Sequence, residues 1–406
     1  MSDSAATPAR EAARGNALEV LAASLALGLT SFGGPIAHLG YFERAYVRER
    51  QWLSPDEYAG IVALCQMSPG PASSKIGFLV GMRRAGWAGG LAAWIGFTLP
   101  SAIAMFAFAL LAPRMHGAAM EATLHGLKLV AVAVVAQAVW SMARRLCPDR
   151  QRAGLALVAA ALLLVFGGAW TQMLALLAGA LGGAWLCRDV AALAPPTATP
   201  VGAKAGGAAL VAFIALLLLC PLVARAAPRS LAALSAIFYQ AGALVFGGGH
   251  VVLPLLRDAL VPGGWISDDA FLAGYGVAQA LPGPLFTFSA YVGAVVAPAQ
   301  SALLWSAAAL VFVFLPGLLI ALAGVSLWTW LGRHASARAA LAGINAAVVG
   351  LLGAALYDPI WTSAVRGGID VAIAVAGFLL LERWRVPPLV IVAFCVCASI
   401  ASAIGA

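Results

Sequence analysis

Three short blocks of this chain occur twice, in the same order and at nearly one spacing. Phe32-Gly33-Gly34, Trp52-x-Ser54-x-Asp56 and Gln66-x-x-Pro69-Gly70-Pro71 return as Phe246-Gly247-Gly248, Trp265-x-Ser267-x-Asp269 and Gln279-x-x-Pro282-Gly283-Pro284. The offset is 214 residues at the first block and 213 at the other two, so one single-residue gap aligns all three. Further on, Leu99-Pro100 is matched by Leu315-Pro316. Chance supplies one Pro-Gly-Pro pair easily; it does not supply three ordered blocks at one spacing. The chain therefore uses one structural unit twice, and any fold for it must do the same.

The solvent of that unit follows from composition. Of 406 residues, 63% are hydrophobic and 10% charged, against about 25% charged in a soluble domain. A water-soluble fold this apolar would expose large apolar patches, so the chain reads as an integral membrane protein. Spans need about 20 mostly apolar residues. Thirteen stretches qualify: 18–41, 58–81, 87–111, 122–142, 153–169, 171–187, 207–224, 231–256, 270–296, 301–328, 338–357, 367–382 and 387–405. The predicted fold class is all-α, with about 13 transmembrane helices in two six-helix repeats, 18–187 and 231–406. A linker, 188–230, holds the span at 207–224, and residues 1–17 form a polar tail, read as cytoplasmic and not as a cleaved signal. An odd connecting span inverts the second repeat relative to the first, the arrangement of many secondary transporters.

With the N-terminus inside, fifteen Lys and Arg fall in inside segments and seven outside, which follows the positive-inside bias. Arg44, Arg48 and Arg50 are the main exceptions, in one loop on the wrong side. The net charge of +8 is explained by this bias, and no nucleic-acid-binding motif accompanies it. The six cysteines lie in or beside apolar runs without a metal-ligand spacing, and no cofactor is expected.

The repeated motifs are helix breakers. Pro69-Gly70-Pro71 and Pro282-Gly283-Pro284 each interrupt an apolar run twice around a glycine, and the Phe-Gly-Gly blocks supply a second interruption per repeat. Broken helices are tolerated in a membrane only where the freed backbone is buried in protein or lines a wet cavity. Each break also leaves a helix N-terminus whose free N–H groups and partial positive charge suit an anion. The expected anion-binding set is Ser73, Ser74 and Lys75 after the first break and Thr287 after the second, with the backbones of Gly33, Gly34, Gly70, Gly247, Gly248 and Gly283, and with His250 beside the second glycine block. Lys75 is the expected countercharge, because an ionisable residue within a span is a functional candidate. Lys128, near His125, reads equally well as snorkelling. Ser54 and Ser267 precede acidic residues in the manner of helix N-caps.

At these residues the chain resembles the chromate ion transporter family in its long two-domain form. The resemblance lies in FGGPIAHLGYF (32–42), QMSPGPASSKIGFLVG (66–81), FGGGHVVLPLL (246–256) and QALPGPLFTFSAYVG (279–293), and extends over nearly the whole chain. It implies export of chromate across a bacterial inner membrane, driven by the proton motive force or by exchange, and so chromate resistance. Sulfate, nearly isosteric, is the natural competitor, and protons and a homodimeric partner are further expectations. Three rivals stand beside this reading: a sulfate transporter on the same scaffold, which the sequence does not separate from it; a passive channel, which inverted repeats do not exclude; and a membrane enzyme acting on lipid phosphate, for which the scattered acids and isolated histidines offer no catalytic cluster.

Overall fold

The structure, a computed structural model, describes residues 15–32, 34–112, 118–166, 168–187, 202–246, 249–298 and 300–404. All regular structure among them is helical. The first copy of the unit contains α1 (Ala17–Thr30), α2 (Gly34–Phe42, continued by a π-helical stretch Glu43–Glu49), α3 (Pro55–Met67), α4 (Ala72–Leu111), α5 (Ala118–Leu146), α6 (Arg150–Phe166) and α7 (Gly168–Leu186). Helix α8 (Ala203–Ala226) follows. The second copy contains α9 (Leu231–Leu244), α10 (Val252–Leu260), α11 (Asp268–Ala280), α12 (Phe288–Val295), α13 (Ala302–Arg333), α14 (Ala335–Ala355), α15 (Thr362–Ala364), α16 (Gly368–Glu382) and α17 (Pro388–Ile404). Single 3-10 turns, Gly249–Val251 and Leu285–Thr287, lead into α10 and α12.

Four helices that open the repeated hairpins share one device. Asn16, Ser54, Ser230 and Ser267 each accept a hydrogen bond from the backbone N–H three residues on, at 2.8 to 3.3 Å. These side chains satisfy donors that the first helical turn leaves free. At Ser54 the expected N-cap is half of a capping box, since Ser54 N–H also donates to Glu57 at 2.9 Å. The caps of α1 and α9 are 214 residues apart and those of α3 and α11 are 213 apart, the spacing of the duplication.

The helices that begin at these caps do not run through the molecule. Helix α3 enters, breaks at Ser68 to Pro71, and the first limb of α4 (72–84) returns beside it: Arg83, at the end of that limb, hydrogen-bonds Glu57 in the first turn of α3. Helices α1 and α2 do the same. Trp52 donates to Glu19 at 3.2 Å, and Tyr46 lies 3.3 Å from Ser24. In the second copy Arg229, before α9, donates to the Gly263 carbonyl beyond α10 at 2.8 Å. Tyr291 on α12 donates to the Ala270 carbonyl of α11 at 2.9 Å. Thus the expected spans 18–41, 58–81, 231–256 and 270–296 are each a hairpin whose two ends sit at one level. The physical reason is length: a limb of 13 residues reaches about 20 Å, past the middle of a hydrocarbon core of about 30 Å but not across it. At these four of the thirteen expected spans, the break expected within an apolar run separates two short helices that pair with each other.

Ala85 and Gly86 leave helical geometry, with Gly86 at φ +64°, and there α4 turns into its second limb, 87–111. Among the described residues, five helices are long and apolar enough to cross a membrane: Ala72–Leu111, Glu121–Leu146, Lys204–Ala226, Ala302–Gly324 and Ala335–Ala364. The shorter α6, α7, α16 and α17 match the expected spans at 153–169, 171–187, 367–382 and 387–405 in position. Their packing uses small residues. A Cβ at Gly28 would stand 2.7 Å from the Gly96 carbonyl, and one at Gly183 would stand 2.5 Å from that of Ala339. Such backbone approach is typical of helices that associate in lipid. The outer surface keeps apolar side chains exposed, among them Leu157 (71%), Leu218 (69%) and Leu303 (70%), which fits a bilayer and not water.

Candidate functional site

The four helix breaks meet. Gly70, in the Pro-Gly-Pro of the first copy, donates its N–H to the Val245 carbonyl at the α9–α10 break, at 2.8 Å. Gly283, its counterpart, donates to the Ser31 carbonyl at the α1–α2 break, at 2.9 Å. The two bonds are images of each other under the duplication, so each copy's proline-rich tip is tied to the other copy's glycine-rich tip. Both glycines have a left-handed backbone, φ +93° and +94°. A Cβ on Gly70 would lie 2.5 Å from the Gly317 Cα. Side chains are excluded there on two counts.

The α4 N-terminus opens onto a cavity of about 180 Å³ lined by Gly70, Ala72, Ser73 and Ser74. Gln66, His38, Arg145, Asn345, Gly249 and Phe286 complete its polar and apolar walls. Pro71 provides no side-chain cap for α4, so first-turn N–H groups face this space. The Ser74 hydroxyl is buried without a hydrogen-bond partner. Arg145, in the last turn of α5, is exposed on the cavity and makes no ion pair among the described residues. The arrangement gathers donors and one unpaired cation around a helix N-terminus, a constellation suited to an oxyanion.

Lys75 is fully buried and turns away from that space. Its Nζ donates to the Ser68 carbonyl, the Ser68 hydroxyl and the Pro69 carbonyl, each at 2.8 Å. These three bonds use all the donors of an ammonium. They neutralise the negative C-terminal end of α3, leaving the positive N-terminal end of α4 as the field that reaches the cavity. The lysine expected as a countercharge therefore caps the tip from behind.

The other expected residues separate. Gly34, Gly283 and His250 line a second cavity, of about 340 Å³, with Gln137, Gln279 and Arg385. His250 Nδ1 is 2.7 Å from the Tyr275 hydroxyl. Thr287 is buried, and its hydroxyl donates to the Pro284 carbonyl at 2.9 Å, closing the 3-10 turn instead of facing either space. Gly33, Gly247 and Gly248 lie outside the described residues. A third cavity, of about 1020 Å³, lies at the N-terminal end of α11. There Lys128 hydrogen-bonds Asp269, and His125 meets Asp370 at 2.9 Å.

His38 and Arg145 are central to the first cavity, and the motifs did not single them out. His38 is 1% exposed. Its Nε2 lies 3.2 Å from the Ser31 carbonyl and its Nδ1 3.0 Å from Ser73 Oγ. The signal was present in FGGPIAH, but the duplication drew attention to His250, which aligns with Ile36 and not with His38.

The sequence profile described as Chromate transporter matches the chain twice, over residues 18–184 and 232–400. A protein of Pseudomonas aeruginosa named chromate transport protein is 30% identical over 387 residues, covering 90% of this chain and 87% of its own. The Cupriavidus metallidurans protein of the same name is 26% identical over 86% of this chain and 83% of its own. A probable chromate transport protein of Synechococcus elongatus is 31% identical over 67% of each. No solved structure matches. The duplicated breaks, the two matched halves and the full-length likeness together make this chain a member of the chromate transporter family.

Proposed function

We propose that this protein is a secondary transporter that carries chromate out of the cytoplasm across a bacterial inner membrane, and so confers chromate resistance. The observation that carries the reading is the α4 N-terminus. It opens at the junction of four helix breaks onto a cavity lined by Ser73, Ser74 and Arg145, and Arg145 makes no ion pair among the described residues. Membership of the family and the names of the relatives support chromate as the anion. Sulfate is the expected competitor, because hydroxyl and amide donors discriminate weakly between near-isosteric oxyanions.

In this reading nine helical elements cross: the second limb of α4, then α5, α6, α7, α8, α13, α14 with α15, α16 and α17. The α1–α2 and α3–α4 hairpins enter from one face and α9–α10 and α11–α12 from the other, meeting near the middle as inverted repeats. Positive charge supports this topology better than thirteen crossings. The face holding the start of α1 then carries Arg44, Arg48, Arg50, Arg83, Arg84, Arg144, Arg145, Arg150, Arg152, Lys204, Arg333, Arg338, Arg383 and Arg385. The opposite face carries Arg225, Arg229, Arg257 and Arg366. The three arginines that violated the rule on a straight-through reading now obey it, placing the first face in the cytoplasm. Rocking of one repeat against the other would expose the junction alternately.

The test is chromate flux into inside-out vesicles with and without a proton gradient. Concentrative uptake is the expected result. In Arg145→Gln the half-saturating concentration should rise roughly tenfold, the loss of one charge-assisted hydrogen bond. Equilibration without accumulation would identify a channel, and accumulation of sulfate with exclusion of chromate would overturn the substrate.

A further inference from the structure

His38 joins two of the four breaks. Its Nε2 lies 3.2 Å from the Ser31 carbonyl, the same carbonyl that accepts the Gly283 N–H. A carbonyl only accepts, so Nε2 carries a hydrogen in this contact. In the neutral imidazole Nδ1 is then an acceptor, and the contact at 3.0 Å with Ser73 Oγ requires the serine hydroxyl to donate to the ring. Ser73 thereby turns its only hydrogen away from the cavity at the α4 N-terminus and offers an anion its lone pairs. When Nδ1 takes a proton it becomes a donor. The bond reverses from O–H···N to N–H···O, and the Ser73 hydrogen is released towards the cavity.

We propose that His38 is the positioning residue that makes an oxyanion and one proton bind this site together. The inference rests on the transporter reading above. The proton goes to His38 Nδ1, and the anion gains the Ser73 hydroxyl as a donor together with a positive charge one side chain away. Among the described residues near the ring, none competes for this role. On α3, Tyr58 is committed to the Leu39 carbonyl at 2.7 Å, and Cys65 lies on the cavity wall. On α4, Lys75 is held by Ser68 and Pro69, and Phe97 stands edge-on to the ring with centroids 5.2 Å apart. On α2, Phe42 is stacked 6.3 Å away. On α5, Arg145 faces the cavity, and on α14 Asn345 does. No carboxylate is among the described residues lining this space. The bound anion is therefore the group that favours protonated His38. A dianion crossing with this proton moves one net negative charge instead of two.

The experiment is chromate binding to the purified full-length protein as a function of pH around neutrality, comparing wild type with His38→Gln and Ser73→Ala. Glutamine can donate to the Ser31 carbonyl and accept from Ser73, reproducing the neutral arrangement without a titratable ring. Chromate's own protonation contributes equally to all three proteins. The wild-type affinity should rise as pH falls more steeply than that of His38→Gln, by up to about tenfold per pH unit for one linked proton. Ser73→Ala, which keeps the ring but has no hydroxyl to turn, should give an intermediate slope. Slopes in both variants equal to wild type would overturn the role of His38. Absence of chromate binding to wild type at every pH would instead remove the substrate reading beneath it.

Discussion

The two Pro-Gly-Pro tips have the same backbone and opposite chemistry. Gly70 and Gly283 share a left-handed φ within a degree and make equivalent cross-repeat hydrogen bonds. After the first tip come Ala72, Ser73, Ser74 and Lys75; after the second come Leu285, Phe286, Thr287 and Phe288. Ser68, which receives Lys75, is Leu281 in the second copy. Duplication has thus kept the scaffold twice and the donors once. The first tip has the chemistry to hold an anion. The second, with Phe286 packed 5.8 Å from Phe314 and Phe288 5.0 Å from Phe271, anchors its partner. On the proposed function, a symmetric fold carries an asymmetric site.

The largest effects should come from breaking the feature the tips share. Gly70→Ala puts a Cβ into the Gly317 backbone as well as into a disfavoured φ, and should cost at least about 3 kcal/mol or prevent folding. Gly283→Ala meets the Ser101 hydroxyl first, at 2.9 Å, and that side chain can rotate; about 1 to 2 kcal/mol is expected. Thermal unfolding in detergent ranks the two, and a reversed order would mean that the tips are not held as described.

Next comes the feature that only the first tip has. Lys75→Met leaves the Ser68 and Pro69 carbonyls buried without their donor, which should destabilise the protein by about 2 to 4 kcal/mol. Importing the second tip's pair, Ser68→Leu with Lys75→Phe, should recover part of that loss. The folded fraction of Lys75→Met should still move chromate, with reduced affinity. Abolished flux at an unchanged melting temperature would show that Lys75 touches the anion directly.

The smallest and most selective contrast is between hydroxyls. Ser74 has no partner, so Ser74→Ala should leave melting unchanged and raise the half-saturating chromate concentration roughly five- to tenfold, about 1 kcal/mol for one donor. Thr287→Val removes a hydroxyl already committed to Pro284. It should change the chromate dependence less than about twofold while lowering stability by about 1 kcal/mol. Equal chromate effects would mean that both tips contact the anion and that the asymmetry is only apparent.

Much of this molecule was legible beforehand, and the misreadings have local causes. Spacing alone located all four breaks and the helix caps at Ser54 and Ser267, because proline, glycine and capping side chains act within a few residues of themselves. Ser73, Ser74 and Gly70 share one helix start and line the same cavity. Gly34, Gly283 and His250 were grouped with them, yet they line the neighbouring cavity. The duplication announces equivalence between copies but not which surfaces face each other. Arg145 was counted only as a loop charge, because α5 reaches the cavity from more than 70 residues away.

The sequence by itself determined that the chain lives in a bilayer, that one helical unit is used twice, and where its helices must break. Those properties depend on composition and short-range sterics, which a linear string records in full. Only the tertiary structure decided whether a broken helix continues or returns, since a proline-glycine pair permits both and the choice rests on contacts such as Arg83 with Glu57 and Arg229 with Gly263. The same holds for the direction of Lys75. A cation beside a break can face a ligand or the carbonyls of the preceding helix, and here the return of α4 alongside α3 brings Ser68 and Pro69 within 2.8 Å of its ammonium.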